Sequence, residues 1–357
     1  MPVISAKFKR LFGPALIAVL AVLVGVGLWK TGGDLGRGRL VLNRRPKAVM
    51  GTTCSLAVIT ESRVQQEAED ALDLAEATIR KVEARMSCWR EDSEISQLAR
   101  APVGKSQPLG PETLEVLRIA RQACQDTGGA FDVTCNPLIR LWRDAVEKNS
   151  QPDESQLQEA RAQSRWNLFK LGEGHATRLG SKACVDLGGI AKGHAIDRAV
   201  EILKLSGVQG GLVDIGGDLA CFGQPPKGHF WIVDIQNPFD SSLLVKLRLA
   251  EGSVCTSGDY ARPIIIGRHR YSHIINPASG RPTDALPSVT VFAPKARTAD
   301  IWATALSVLG PKGFERLPID VEAMIVVGTA EDFSILTTAG MHKLLEQPLP
   351  KDITIWR

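Results

Sequence analysis

The sequence predicts an α+β domain preceded by a single N-terminal transmembrane helix. Three observations lead there. An uncharged apolar run covers residues 11–29, with Lys7, Lys9 and Arg10 in front of it. Apolar residues recur at the helical period over 62–86 and again over 111–127. The second half is a series of short strand-like runs broken by turns, without the strict strand–helix alternation of a parallel sheet.

The apolar run is close to the length that spans a bilayer. It is long for a signal-peptide core, and no clear small-x-small cleavage site follows it. It therefore reads as an uncleaved anchor in preference to a cleaved signal. Residues 1–10 are then a short cytoplasmic tail and 30–48 a Gly- and Arg-rich linker, followed by a globular domain over 49–347 and a tail over 348–357. The basic tail argues for a single-pass protein of the inner (cytoplasmic) membrane, with the domain on the periplasmic or extracytoplasmic side. Lys30, Arg37, Arg39, Arg44, Arg45 and Lys47 on the far side weaken that charge argument.

The chain has 357 residues, 44% of them apolar, ample for a sizeable core. A net charge of +4 is too small to argue for a nucleic-acid partner. The seven cysteines form no CxxC pair and no zinc spacing, so buried thiols are the default and no disulfide can be assigned.

Element by element, 52–60 reads as a strand and 62–86 as a helix with Val64, Ala68, Ala71, Leu72, Ala75, Ile79 and Val82 on one face. The helix over 111–127 stops at Gly128-Gly129, and a strand is expected after it. Residues 149–162 are polar and belong on the surface. Strands are expected at 211–215, 229–236, 245–249, 262–266, 288–293, 323–327 and 333–337. A helix over 298–309 has Thr298 as its N-cap and ends at Gly310-Pro311.

Residues 183–223 are the most informative stretch. Asp186, Gly188 and Gly189 follow a strand-like run, and Lys192 opens a helix. A second strand then ends in Gly216, Gly217 and Asp218. Glycine pairs between strand and helix let backbone approach a ligand and aim N–H groups at an anion, so two such turns suggest a nucleotide site. Asp300 and Thr304 stand four apart, which places a carboxylate and a hydroxyl on one helical face. Such a pair suits a hard cation. Spacing alone favours a solvated acid and a threonine bonded to its own helix, whereas the apolar neighbours Ile301, Trp302, Ala305 and Leu306 favour a ligand. His273 lies in an apolar run before a turn, a structural position that would also suit a general base. Trp89 is either core or a stacking face for a planar ring.

Taken together, these pieces resemble the FAD:protein FMN transferase family, the ApbE-type flavin transferases. The likeness rests on Met50-Gly51-Thr52, MSCWREDSEIS at 86–96, TGGAFDVT at 127–134, VDLGGIAKGHAID at 185–197, DIGGD at 214–218, TSGDYAR at 256–262, YSHIINPASGRP at 271–282 and TADIWATALSVLG at 298–310. It implies one mixed α/β catalytic domain of the flavin transferase type. It also implies Mg²⁺-dependent transfer of FMN from FAD to a threonine or serine hydroxyl of a target flavoprotein, with a phosphoester formed and AMP released. The expected acceptor is a respiratory electron-transfer subunit at the membrane. An FAD pyrophosphatase and a non-catalytic FAD-binding protein are the alternatives. The resemblance makes Asp300 and Thr304 metal ligands, adds backbone contacts from Gly189 and Ala303, and makes His273 the general base. Met50, Trp89, Ala130, Phe131, Asp132, Asp186, Lys192 and Ile275 align with flavin-nucleotide contacts. The chain departs from the family pattern at Trp89, where tyrosine is usual, at Cys135-Asn136 in place of Val-Gly, and at Asn276 in place of Asp.

Overall fold

The computed structural model describes residues 33–36, 38–258, 264–283, 286–348 and 352–356. The expected tail over 1–10 and anchor over 11–29 lie outside the described residues. Among the described residues, no helix is long and apolar enough to cross a membrane.

The described helices are α1 (Gln65–Met86), α2 (Glu94–Arg100), α3 (Pro111–Asp126), α4 (Asn136–Lys148), α5 (Glu154–Gln163), α6 (Ala191–Leu205), α7 (Ala296–Leu309) and α8 (Ala339–Leu344). The main sheet holds ten described strands, side by side in the order the chain makes them: Gly33–Gly36, Arg39–Arg44, Cys54–Glu61, Gly210–Ile215, Asp218–Gly223, Gly252–Ser257, Ser288–Ala293, Glu322–Gly328, Phe333–Thr337 and Ile353–Ile355. Neighbours are antiparallel except the final pair, which is parallel. Helices α1–α6 form one excursion between the third and fourth of these strands, so the fold is α+β as expected.

Alternate strand residues enter two cores. Leu56, Val58, Val213, Ile215, Val289 and Ile325 face the helices, and Ala57, Ile59, Leu212, Leu219, Met324 and Val326 face the other way. The first face is covered by α1, α6 and α7, and α6 packs against both of the others. The second is covered by the hairpin Trp231–Gln236/Leu243–Leu249 and by Met341 of α8. Each Leu or Ile fully buried here contributes about 1.5–3 kcal/mol. Burial on both faces makes the strands near-continuous apolar runs. That explains why those at 211–215, 288–293 and 323–327 were legible.

Other expectations are corrected. Residues 30–48 are not simply a linker, because Gly33–Gly36 and Arg39–Arg44 build one edge of the sheet, the latter paired with Cys54–Glu61. That strand buries only Val41, so it carries little periodic signal. Residues 348–357 are not merely a tail, since Ile353–Ile355 adds the opposite edge. No strand forms at 183–187 or after Gly129. There, Val133–Cys135 makes a 3-10 turn that runs into α4. Helix α7 begins at Ala296, and Thr298 is not its cap. All seven cysteines are free thiols.

Candidate active site

Helix α6 begins where a buried loop turns. The Asp186 N–H donates to the Val133 carbonyl at 2.8 Å, and the Val185 carbonyl accepts the Asn136 side-chain amide at 2.9 Å. The 183–187 run is thus tied to the 132–136 turn and not to a ladder. Asp132 caps that turn by accepting the Thr134 N–H at 2.8 Å, and burial pushes its carboxyl above the usual range. Asp186 accepts the Gly188 N–H at 2.8 Å. Gly189 then passes so close to α7 that a Cβ on it would lie 2.9 Å from Thr304 Oγ1 and 3.1 Å from the Phe131 ring. Phe131 is set by the turn after α3, its N–H donating to the Thr127 hydroxyl at 3.0 Å, with Ala130 buried beside it. Five expected site residues, Ala130, Phe131, Asp132, Asp186 and Gly189, therefore share one wall with Thr304.

Lys192, in the first turn of α6, is held by acids. Its ammonium pairs with Asp218 and stands 3.9 Å from Asp300 Oδ1. Asp218 is buried and accepts the Thr256 N–H at 3.1 Å through its other oxygen. Asp300 is only 4% exposed, and its Oδ2 accepts the Gly193 N–H at 3.1 Å. Burial raises the Asp300 pKa, and Lys192 and the Gly193 N–H oppose the rise. Asp214 is pushed up to about 6 by burial, opposed by the Gly217 N–H that it accepts at 2.9 Å and by the field of Lys192. The field of Lys192 is thus shared among the buried Asp218 and Asp300 and the half-buried Asp214, an excess of negative charge suited to a further cation. The sequence reading gave Asp214 no role and Asp218 only a place in a turn suggesting a nucleotide site, although an acid bounding each side of the Gly216-Gly217 turn between apolar strands was a visible signal.

The donor set fits the Mg²⁺ that the family resemblance implies. The Asp300 carboxylate and Thr304 hydroxyl are one turn apart on α7, and the absent side chain of Gly189 leaves space in front of Thr304. Mg²⁺ uses one or two carboxylates and completes its shell with water and substrate phosphate. Among the described residues, no three His, Cys, Asp or Glu side chains converge, so the donors of a zinc-type cage are not assembled. Ala303 fits less well. Its carbonyl accepts the Ser307 hydroxyl at 2.8 Å, and an ion there would have to displace it.

The remaining expected residues border this centre or have separate support. Met50 and Gly51 have φ of +50° and +70° in a tight turn closed by the Thr52 N–H on the Val49 carbonyl at 3.0 Å. Thr52 packs against Gly216, where a Cβ would lie 2.6 Å from Thr52 Oγ1. Met50 is therefore carried beside the Asp214–Asp218 turn, in a backbone conformation rare outside glycine. Trp89 is not core. It is 76% exposed, with the Arg143 guanidinium 5.3 Å from the ring centroid. It borders a cleft of about 280 Å³ that Asn136, Arg140 and Val185 also line. His273 is half-buried in the bend before Ile275–Asn276. Ile275 shares a small core with Leu138 and Trp142, and the Trp142 indole N–H donates to the Gly280 carbonyl at 2.8 Å. His273 thus rides on α4, a different support from that of Asp300 and Lys192.

Residues 50–325 match the model of the ApbE family. The chain belongs to that family. The FAD:protein FMN transferase of Haemophilus influenzae is 30% identical over 310 residues, covering 83% of this chain and 90% of the relative. The one from Treponema pallidum is 30% identical over 313 residues, covering 82% and 84%. The apo crystal structure of the flavinyl transferase ApbE of Pseudomonas stutzeri superposes with a TM-score of 0.75 at 28% identity, covering 85% of this chain and 96% of that one. The flavin transferase ApbE from Vibrio cholerae gives 0.73 at 27% identity, covering 86% and 99%. This ApbE-family chain is a transferase, and the matched span contains every site residue named above.

Proposed function

We propose that this ApbE-family protein transfers FMN from FAD to a threonine or serine hydroxyl of a flavoprotein, forming a phosphoester and releasing AMP. The observation that carries the reading is the convergence of Gly189, in the turn before α6, Lys192 on α6, and Asp300 and Thr304 on α7 onto one gap. Asp300 and Thr304 would hold Mg²⁺, with backbone at Gly189 beside them. When bound, the ion neutralises charge on the diphosphate. Lys192 supplies a second positive charge at the same place, kept in position by Asp218. Met50, Ala130, Phe131, Asp132, Asp186 and Ile275 line the flavin-nucleotide path, and Trp89 offers a ring for stacking. His273 accepts the proton of the incoming hydroxyl. The hydroxyl oxygen bonds to the FMN phosphorus, and the bond from that phosphorus to the bridging oxygen breaks, so AMP leaves with the electron pair. The 11–29 segment would anchor the domain on the outer side of the inner membrane, where a respiratory electron-transfer subunit is the expected acceptor.

The test uses full-length protein in detergent with FAD, Mg²⁺ and an acceptor flavoprotein, read by mass for the FMN adduct. Wild type should form the adduct, and Asp300→Ala should slow it by roughly a thousandfold or more. FMN and AMP accumulating without adduct would indicate a pyrophosphatase. Intact FAD would indicate a binding protein.

A further inference from the structure

Asp197 lies on α6, one turn beyond Gly193 and on the same face. Its carboxylate reaches across to the start of α7. Oδ1 accepts the Ala296 N–H at 2.7 Å, and Oδ2 accepts the Arg297 N–H at 3.2 Å. The next two N–H groups, of Thr298 and Ala299, both bond to the Lys295 carbonyl at 3.1 Å. Ala296 and Arg297 are therefore the donors that a helix start leaves unsatisfied, and α7 has no cap from a side chain of its own N-cap residue. A carboxylate from a neighbouring helix does that work and also opposes the positive end of the helix dipole.

Gly193 makes the approach possible. A Cβ on it would lie 2.4 Å from the Ala296 carbonyl oxygen and 2.6 Å from Arg297 Cα, both backbone atoms that cannot swing aside. The Gly193 N–H also donates to Asp300, one turn further along α7. Two adjacent points on α6 thus fasten α7, at its first residues and at its first acid. The same helix then brings Thr304 against Gly189, just before α6 begins.

We propose that Asp197 is a positioning residue for the cation site. By capping α7 from α6, it sets where the Asp300 carboxylate and the Thr304 hydroxyl stand relative to Gly189. This deepens the functional reading above and rests on its assignment of a divalent cation to Asp300 and Thr304. Asp197 itself touches neither cation nor nucleotide in this arrangement.

The test measures Mn²⁺ binding directly, by electron paramagnetic resonance of the free ion, on full-length protein without turnover. Asp197→Ala should weaken Mn²⁺ binding about tenfold, the size seen when the outer partners of metal ligands are removed. FAD affinity measured without metal should stay within twofold of wild type. Gly193→Ala, which leaves Asp197 intact but pushes α7 off α6, should weaken Mn²⁺ in the same direction. Asp197→Asn keeps one acceptor and should fall between wild type and alanine, and it serves if the alanine variant does not fold. Asp153→Ala is the control for generic cap loss. Asp153 closes the capping box of α5, which carries no site residue, so this change should lower the melting temperature without moving Mn²⁺ affinity. Unchanged Mn²⁺ affinity in Asp197→Ala, or equal weakening in Asp153→Ala, overturns the positioning role alone. Wild-type protein that takes up no Mn²⁺ overturns the metal assignment and the proposal with it.

Discussion

Gly188-Gly189 and Gly216-Gly217 look alike in the sequence, each a glycine pair near an aspartate, and the chain uses them for different purposes. The first precedes a helix. Neither glycine has a positive φ, and Gly189 is needed for space, because α7 and Phe131 crowd the position of its missing Cβ. The second joins two antiparallel strands, with Ile215 opposite Asp218. Its φ values are +67° and +92°, the left-handed pair that a two-residue hairpin demands. The first pair makes room at a site. The second shapes a turn that aims Asp214 and Asp218 towards Lys192. A glycine pair therefore signals close approach or turn handedness, and which one depends on the element that follows.

Three substitutions test whether the two glycine pairs differ in this way. The largest expected effect is at the first pair. Gly189→Ala should cut FMN transfer about a hundredfold by displacing Thr304, with the fold retained. Full activity in that variant would show that the gap at Gly189 is not part of the site. At the second pair, Gly216→Ala combines a left-handed backbone with a Cβ 2.6 Å from Thr52 Oγ1. A stability loss of about 3 kcal/mol is expected in urea unfolding. Transfer lost with stability intact would instead make both turns direct parts of the site.

The smallest effect concerns Asp214, whose pKa of about 6 in the folded protein lies above its ordinary value of 3.8. A folded pKa raised in this way gives stability that is complete below the unfolded value and lost as pH rises through 6. Asp214→Asn keeps an oxygen to accept the Gly217 N–H and removes the ionisation. The variant should exceed wild type by about 1–2 kcal/mol at pH 8, less than a two-unit shift converts to, because water partly screens the half-buried carboxylate. The difference should vanish below about pH 4. Urea melts at pH 4 and pH 8 check this, and a difference that does not change with pH would refute the burial argument.

Much of the fold was legible because its signals are local. The apolar face of α1, the stop at Gly128-Gly129 and the doubly buried strands all follow from periodicity and turn chemistry. The strand Arg39–Arg44, second from the edge, was not, because with Val41 as its only buried residue it leaves no pattern to read. The start of α7 was misplaced for a related reason, since its cap lies 99 residues away in Asp197. At the site, the four-residue spacing placed Asp300 and Thr304 on one helical turn and the family resemblance gave them a role, whereas Asp214 was passed over and Asp218 was read only as part of a glycine turn.

Local sequence was enough to mark most of the helices and the inner strands of the sheet, and which side chains shared a helical turn. Those properties depend on neighbours a few residues apart and on which faces must leave water. Only the tertiary structure decided that Lys192 meets Asp218 across 26 positions, that Gly193 meets Asp300 across 107, and that Gly189 faces Thr304. Such pairings arise when the sheet and its helices close on a common core, and no local period encodes which distant segments will then lie side by side.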